Sequence, residues 1–344
     1  MRKVGILTFT YGDNYGQRLQ NLAVQKTLSN LGFHPYTFKQ IYPYTFKHKI
    51  KVDCMDLLKH GLASVHRRNN FRKFDEQYIK YFSEPIGEGR IPQGLDDFHC
   101  FVAGSDQIWS PYSDDVNSTM FLEFAPYEKR ISYAASIAAE SIPEDRIAQY
   151  SYWWNGFKAI SVREKESVDL VKRISGRDAV QLLDPTLVLS KSYWKSIAKK
   201  PKKRLPDNYI VKYFLGSPKY AAKIDSFCKK NNYQIVDIMN DNKFYTMGPC
   251  EFLYIISKAK AIFTDSYHGT IFSIIFQVPF IVVKRESGKI DMSSRFSTLF
   301  DSLNIQGRTL EDFDGNLDMN FMEINDNITI KAMENVNYLK SSLS

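Results

Sequence analysis

Residues 3–38, KVGILTFTYGDNYGQRLQNLAVQKTLSNLGFHPYTF, carry the pattern that sets the fold. Lys3 to Thr10 is a mostly apolar run, which suits a parallel strand covered on both faces. After a glycine-flanked loop, Val24, Leu28 and Leu31 recur at helical spacing until Gly32 ends the helix. FHPYTF, residues 33–38, then resumes as a strand. Strand, turn, helix, strand is the opening unit of a doubly wound α/β sheet.

The alternation returns downstream. CFVAGSD (100–106), FLEFAP (121–126), RISYAASI (130–137) and KAISVR (158–163) read as strands, with helices expected over 144–157 and 164–175. DPTLVLS (184–190) leads to KKPKKRLP (199–206), a proline-bracketed basic run of the kind that joins domains. A second set follows: YIVKYFL (209–215), a helix near 219–231, YQIVDIM (233–239), a helix near 249–259, KAIFTD (260–265), a helix from His268, and PFIVVK (279–284). Two Rossmann-like α/β domains are therefore expected, 1–190 and 191–344, the second with a C-terminal tail, facing each other across a cleft. Ligands of such sheets sit beyond the carboxyl ends of the strands. Residues 41–98, aromatic and basic around the loop PIGEGRIPQG, show no regular pattern.

Composition agrees and excludes. A length of 344 residues fits about two domains, and 44% apolar residues supply ordinary cores rather than a disordered chain. Lys and Arg number 46 against 38 Asp and Glu, a net charge of +8 that points to acidic partners: phosphates, nucleic acid or anionic lipid. Cys54, Cys100, Cys228 and Cys250 form no C-x-x-C pair, so neither a zinc knuckle nor a disulfide framework is written. MRKVGILTF lacks the form of a signal peptide, and the apolar run Ile271 to Val283 is broken by Gln277 and Pro279 and too short to span a bilayer. A cytoplasmic chain with reduced thiols is expected. No metal is expected either: no D-x-D pair or metal-spaced His/Asp set lies near the strand ends, and the glycine of DFDGN (312–316) is misplaced for a calcium loop.

Three strand ends hold more polarity than packing needs. In YGDNYGQRLQ (11–20), Gly12 and Gly16 permit a close turn, and Asn14, Gln17 and Arg18 are side-chain donors beside a helix start. The competing reading is a tight turn with Asn14 as a helix cap. In AGSDQIWSP (103–111), Ser105, Asp106 and Gln107 place a hydroxyl, a carboxylate and an amide together, followed by Trp109, whose ring can stack on a sugar or line the cleft wall; the competing reading, a helix cap at Ser105 or Asp106 with Trp109 in the core, explains one of these polar residues, not three. In FTDSYHGTIFSIIF (263–276), Asp265 or Ser266 caps a buried helix, and Gly269 and Thr270 offer first-turn amides to a phosphate or carboxylate. His268 stands at that mouth, where an imidazole donates to phosphate or moves a proton. Arg163, at the end of KAISVR, suits bidentate carboxylate or phosphate binding, against a salt bridge with Glu164 or Glu166. Arg295, in SSRFSTLFDSL, poses the same choice.

Together NYGQRLQNLAVQKTL (14–28), GSDQIW (104–109), ISVRE (160–164), LDPTL (183–187) and TDSYHGTIFSIIFQVPFI (264–281) resemble the polysaccharide pyruvyl transferase family, in that family's order. The sequence departs from the family pattern at Leu22, Tyr267, Ser110 and Pro111. The resemblance implies a fold similar to GT-B glycosyltransferases and transfer of a pyruvyl group from phosphoenolpyruvate to two hydroxyls of a sugar, often O4 and O6 of galactose, giving a cyclic ketal. It implies phosphoenolpyruvate as co-substrate with no further cofactor, and a role in capsular or exopolysaccharide biosynthesis. By the same likeness Asp106, Arg163 and His268 grip the donor, helped by Ser266, Gly269, Thr270, Asn14 and Arg295, with His268 and Asp106 as acid and base. Gln17, Arg18, Gln107 and Trp109 are then left for the acceptor.

Two rivals share parts of these features. A nucleotide-sugar glycosyltransferase would have the same fold and cleft, and fold does not fix chemistry. The basic runs 66–73 and 199–204 raise nucleic acid, but carry no interleaved stacking aromatics or domain signature, so no nucleic acid is expected. The same runs suit peripheral contact with the inner face of a membrane bearing a lipid-diphosphate-linked saccharide.

Overall fold

The opening unit folds as its pattern demands. β1 (Lys3–Leu7) feeds α1 (Tyr15–Asn30), and β2 (His34–Thr37) returns parallel to β1, with Lys3 opposite His34 and Ile6 opposite Thr37. In this computed structural model residues 2–41, 46–113, 116–219, 221–285 and 293–344 are described. Two helices come next, α2 (Phe46–His60) and α3 (Leu62–Tyr78), then β3 (Phe98–Ala103) and β4 (Arg130–Ser132). The first sheet has the order β2-β1-β3-β4, every pair parallel. After α4 (Ile147–Asn155) come β5 (Ser161–Val162), α5 (Lys165–Ser175) and β6 (Val180–Gln181); parallel bridges from Ile131 to Ala159 and from Ala135 to Val162 carry the sheet on to this short pair.

α6 (Lys191–Ile197) opens the second half. β7 (Tyr209–Tyr213), α7 (Ala221–Lys230), β8 (Gln234–Asp237), α8 (Asn242–Tyr245), α9 (Pro249–Lys258), β9 (Ala261–Thr264), α10 (Tyr267–Phe276), β10 (Phe280–Val282), α11 (Ser293–Leu303) and α12 (Phe321–Ser342) complete the chain. The second sheet, β10-β9-β7-β8, is also wholly parallel. Both sheets are thus of the helix-covered, doubly wound kind, and their central strands are apolar on both faces for that reason. α12 crosses back: Asn335 Nδ2 donates to the Leu183 carbonyl at 2.9 Å and to Tyr133 Oη at 3.1 Å, and Leu339 packs with Val4 and Val24 beneath the first sheet.

Two segments depart from the sequence reading. FLEFAP is not a strand: Ser118–Phe121 is a 3-10 turn, and Leu122 lies in the left-handed region at φ 58°. Aromatic stacking overrides strand propensity here, because Phe121 is held between Trp109, 5.1 Å away, and Trp153, 4.3 Å away. Residues 46–78, unreadable by pattern, form the α2–α3 hairpin. Its α3 buries Ser64, Arg67, Phe71 and Phe74 at helical spacing, but with a serine and an arginine among four inward positions the apolar stripe is too thin to see.

The two halves share a core. Tyr15 and Leu19 of α1 and Phe71 and Phe74 of α3 pack with Tyr213, Phe252 and Phe272 of the second half. Tyr15 lies flat on Phe252 at 4.2 Å and donates its hydroxyl to the Met247 carbonyl at 2.8 Å. A stacked pair of this kind adds about 0.5–1.5 kcal/mol beyond its buried area.

Candidate functional site

Where α1 begins, it meets the beginning of α10. Asn14 caps α1, its Oδ1 accepting from the Gln17 amide at 3.2 Å, and Ser266 caps α10, accepting from the Gly269 amide at 3.3 Å. The two helix mouths are in direct contact: a Cβ on Gly16 would lie 2.2 Å from His268 Nδ1, so only glycine lets this imidazole reach α1. Gly269 has a different reason to be glycine, since a Cβ there would press on Thr264 Oγ1 at 2.7 Å. Close packing, rather than room for a ligand, accounts for it. Asp265, the other capping candidate, accepts from the Leu215 and Gly216 amides and from Arg285 Nε instead, fixing the loop after β7.

The strand ends of the first half complete the cluster. Arg163, 2% exposed, donates Nη1 to Asp184 Oδ2 at 2.9 Å and Nε toward Glu164 Oε1 at 3.4 Å, and its guanidinium lies 4.4 Å from the Tyr267 ring centre. The anticipated Glu164 pair therefore exists, but it occupies one edge only, and Arg163 Nη2 is buried with no hydrogen bond to the protein. Arg295, from α11, approaches the same ring at 5.6 Å. Burial, and after it the like charge of Arg163, lowers the Arg295 guanidinium to about 10. Burial also opposes the Arg163 charge, but Tyr267, Glu164, Asp184 and Asp106 outweigh it and hold this guanidinium above its ordinary value.

Asp184 is the hub that sequence reading left without a role. It is fully buried, accepts from Arg163, from Ser105 Oγ at 3.3 Å and from the Thr186 amide and hydroxyl, and lies 3.4 Å from His268 Nε2. Burial alone would raise its carboxyl; His268, then Arg163 and Thr186, hold it well below the usual range. Its signal was present in LDPTL: a carboxylate at a strand end, followed by proline, in a chain whose other strand ends carry the polar sets. Glu164 is similarly built in, accepting from Ser136 Oγ at 2.5 Å and the Ile137 amide at 3.2 Å.

The other anticipated residues divide. Asp106 sits nine-tenths buried in a left-handed turn, φ 85°, its Oδ1 accepting from the Gln107 amide at 2.8 Å. Gln17 Oε1, Gln107 Nε2 and Thr270 Oγ1 are buried atoms without hydrogen bonds to the protein. Native interiors satisfy nearly all such groups, so these three atoms keep hydrogen-bonding capacity at the strand and helix ends. Trp109 and Arg18 are corrections. Trp109 is fully buried, stacked on Phe121 and bonded through Nε1 to the Met120 carbonyl, so its faces are not open to a sugar. Arg18 spends its guanidinium on Asp75 of α3, at 3.0 and 3.2 Å, and on the Tyr11 carbonyl, which makes it a brace between α1 and α3. Asn14, expected to touch the donor, uses its Oδ1 as the cap.

The halves are latched around this cluster. Thr298 of α11 accepts from the Lys165 amide at 3.2 Å and donates to Glu166 at 3.1 Å. A groove lined by Leu187, Ile275, Gln277 and Met333 opens at the far end of α10 and does not reach the cluster. Among the described residues no group of His, Cys, Asp and Glu is placed to hold a metal ion, and no helix is long and apolar enough to cross a membrane.

Likeness to solved proteins supports the fold. A Listeria monocytogenes protein assigned as a UDP-N-acetylglucosamine 2-epimerase superposes with a TM-score of 0.51 at 9% identity, covering 100% of this chain and 90% of that one. The UDP-N-acetylglucosamine 2-epimerase of Rickettsia bellii gives 0.50 at 8% identity, covering 100% and 97%. The architecture is therefore the GT-B type, two facing α/β domains; at such low identity nothing about activity follows. No curated protein matches the sequence. The family model described as polysaccharide pyruvyl transferase matches residues 14–287, which takes in the α1 mouth, Asp106, Arg163, Asp184 and His268 and stops short of Arg295. With most of its length and nearly all of this cluster inside that match, the chain belongs to the polysaccharide pyruvyl transferase family.

Proposed function

We propose that the protein transfers the pyruvyl group of phosphoenolpyruvate to two hydroxyls of a saccharide, O4 and O6 of galactose fitting the reading, to form a cyclic ketal in surface polysaccharide synthesis. The acceptor is a cytoplasmic saccharide, lipid-diphosphate-linked in its natural form. One observation carries the reading: two buried arginines, Arg163 and Arg295, converge on the Tyr267 ring from the two halves, and Arg163 keeps an unpartnered Nη2. Like charges brought together out of water are stabilised by an anion between them. A donor with both carboxylate and phosphate matches that pair and the α10 mouth beside it.

The chemistry assigns each group a task. A proton added to C3 of phosphoenolpyruvate makes the methyl group and leaves positive charge at C2. One sugar hydroxyl bonds to C2 and loses its proton; phosphate departs with the C2–O electron pair; the second hydroxyl bonds to C2 and loses its proton. His268 supplies the first proton or donates to the leaving phosphate, with Asp184 holding its Nε2 edge. Asp106 accepts a hydroxyl proton, and Gln17 and Gln107 orient the sugar. Carboxylates at the strand ends, Asp106, Asp184 and Glu164, would stabilise the charge that develops at C2. The test is incubation with phosphoenolpyruvate and an oligosaccharide panel. Phosphate released one for one with a ketal is the expected result; sugar transfer from a UDP- or GDP-sugar with no use of phosphoenolpyruvate overturns it.

A further inference from the structure

The net charge of the chain is unevenly placed. Residues 46–78, the α2–α3 hairpin, hold eight Lys and Arg against Asp53, Asp56, Asp75 and Glu76, so this stretch carries +4 of the total +8. The inner face of the hairpin is firmly seated. Arg67 donates to Tyr15 Oη at 2.7 Å, to the Tyr245 carbonyl at 2.9 Å and to the Asp13 carbonyl at 2.7 Å; Asn70 donates to the Thr246 carbonyl, and His60 stacks on Tyr245 at 3.7 Å. Its outer face is turned to solvent, with Arg72 paired to Glu76 at 3.7 Å. Leu58 is 87% exposed and Leu62 75%, with Met55, Leu57 and Val65 exposed beside them; Lys59 and His66 are exposed at the same tip, and Arg72 and Lys73 further along α3.

Exposed leucines on a rigidly held hairpin are unusual in a soluble surface, and a cationic rim around them is the composition of an interfacial membrane contact. We infer that the tip of the α2–α3 hairpin, Met55 to Val65, docks this protein on an anionic phospholipid surface. The leucines enter the boundary between headgroups and acyl chains while the basic side chains face the negative headgroups. A second copy of the chain is a poorer occupant, because two hairpins face to face would bring +4 against +4. A nucleic acid would have no use for bare leucines. Because Arg67 fastens α3 to Asp13 and Tyr15, docking sets the mouth of α1 beside the bilayer; in this respect the inference rests on the proposed reaction, whose lipid-linked acceptor would arrive there.

The test uses the full chain and phosphatidylcholine vesicles, with or without phosphatidylglycerol, in a sedimentation assay run without phosphoenolpyruvate. Binding is expected with phosphatidylglycerol only and should weaken as salt shortens the Debye length from about 10 Å at 0.1 M to about 3 Å at 1 M. Leu58→Asp/Leu62→Asp should lower the partition about a hundredfold, since each buried leucine is worth roughly a factor of ten or more. Arg72→Glu/Lys73→Glu, which leaves the apolar tip intact, should lower it and flatten the salt dependence. A fluorophore on Cys54, the exposed cysteine near the tip, should shift its emission on wild-type binding. Failure of the wild type to sediment with phosphatidylglycerol vesicles, or sedimentation of both double variants equal to that of the wild type, overturns the inference. So does a dimer in solution that Leu58→Asp/Leu62→Asp dissociates. Turnover with a water-soluble acceptor should be unchanged in both variants; absence of turnover in the wild type would sink the proposed reaction and leave the vesicle result standing.

Discussion

Arg163 and Arg67 are both 2% exposed arginines where the halves meet, yet they are finished differently. Arg67 lies between the rings of Tyr15, Phe71 and Tyr245 and gives its hydrogen bonds to two carbonyls and a hydroxyl. These hydrogen-bond partners are all neutral. Arg163 is held on one side by Asp184 and Glu164, faces one aromatic ring and keeps a donor in reserve, with a second arginine nearby. A buried cation that is fully used is a strut, and one that is held but not used up still has a donor to offer an anion.

The comparison can be broken by substitution. The largest effect is expected at the imidazole that Arg163 shares Asp184 with: His268→Ala should cut kcat about a hundred- to ten-thousandfold while circular dichroism and melting stay near wild type. A near-normal rate would remove His268 from the chemistry. Conservative replacement of each arginine should then separate the two roles. Arg163→Lys should lower kcat/KM for phosphoenolpyruvate about ten- to a hundredfold with little change in the urea midpoint, whereas Arg67→Lys should cost about 2–3 kcal/mol of stability and act weakly on rate. The reverse pattern would exchange their assignments.

Asp184→Asn sharpens the contrast on the Arg163 side. Removing one of two carboxylates leaves the guanidinium more available to an anion but less firmly held. KM for phosphoenolpyruvate should fall while kcat drops about tenfold, a split that simple loss of packing would not give. A change in stability alone, with both constants preserved, would make Asp184 purely structural.

The smallest expected effect concerns neither arginine. Burial pushes the Cys100 thiol up to about 12 and the Cys250 thiol up to about 11, from 9.0. A folded value raised above the unfolded one gives stability that is full below about pH 9 and is lost as pH climbs through 11 to 12. Melting temperature measured across that window should decline, less steeply in Cys100→Ala/Cys250→Ala.

The parallel strands were legible because their apolar runs are uninterrupted and their ends turn polar at once, as at Ala103–Asp106 and Thr264–His268. The α2–α3 hairpin was not, because it is seated by Arg67, His60 and Asn70, polar residues whose partners are nearly two hundred positions away in the chain. Trp109 misled for a related reason: it follows a polar set, and only Phe121 and Trp153 reveal that the chain turns it inward. The cluster itself was half visible. His268 and Arg163 stand beside glycine, caps and strand ends, whereas Asp184, Glu164 and Gly16 gain their meaning only when the two helix mouths and strand ends are brought together.

The reaction leaves a mark that no rival chemistry shares. In deuterated water, with phosphoenolpyruvate and an acceptor saccharide, the product is expected to carry a ketal methyl holding one solvent deuteron, read by NMR, with one phosphate released per ketal. A saccharide product formed from a nucleotide-sugar, or a ketal methyl that holds no deuterium, would contradict the assignment.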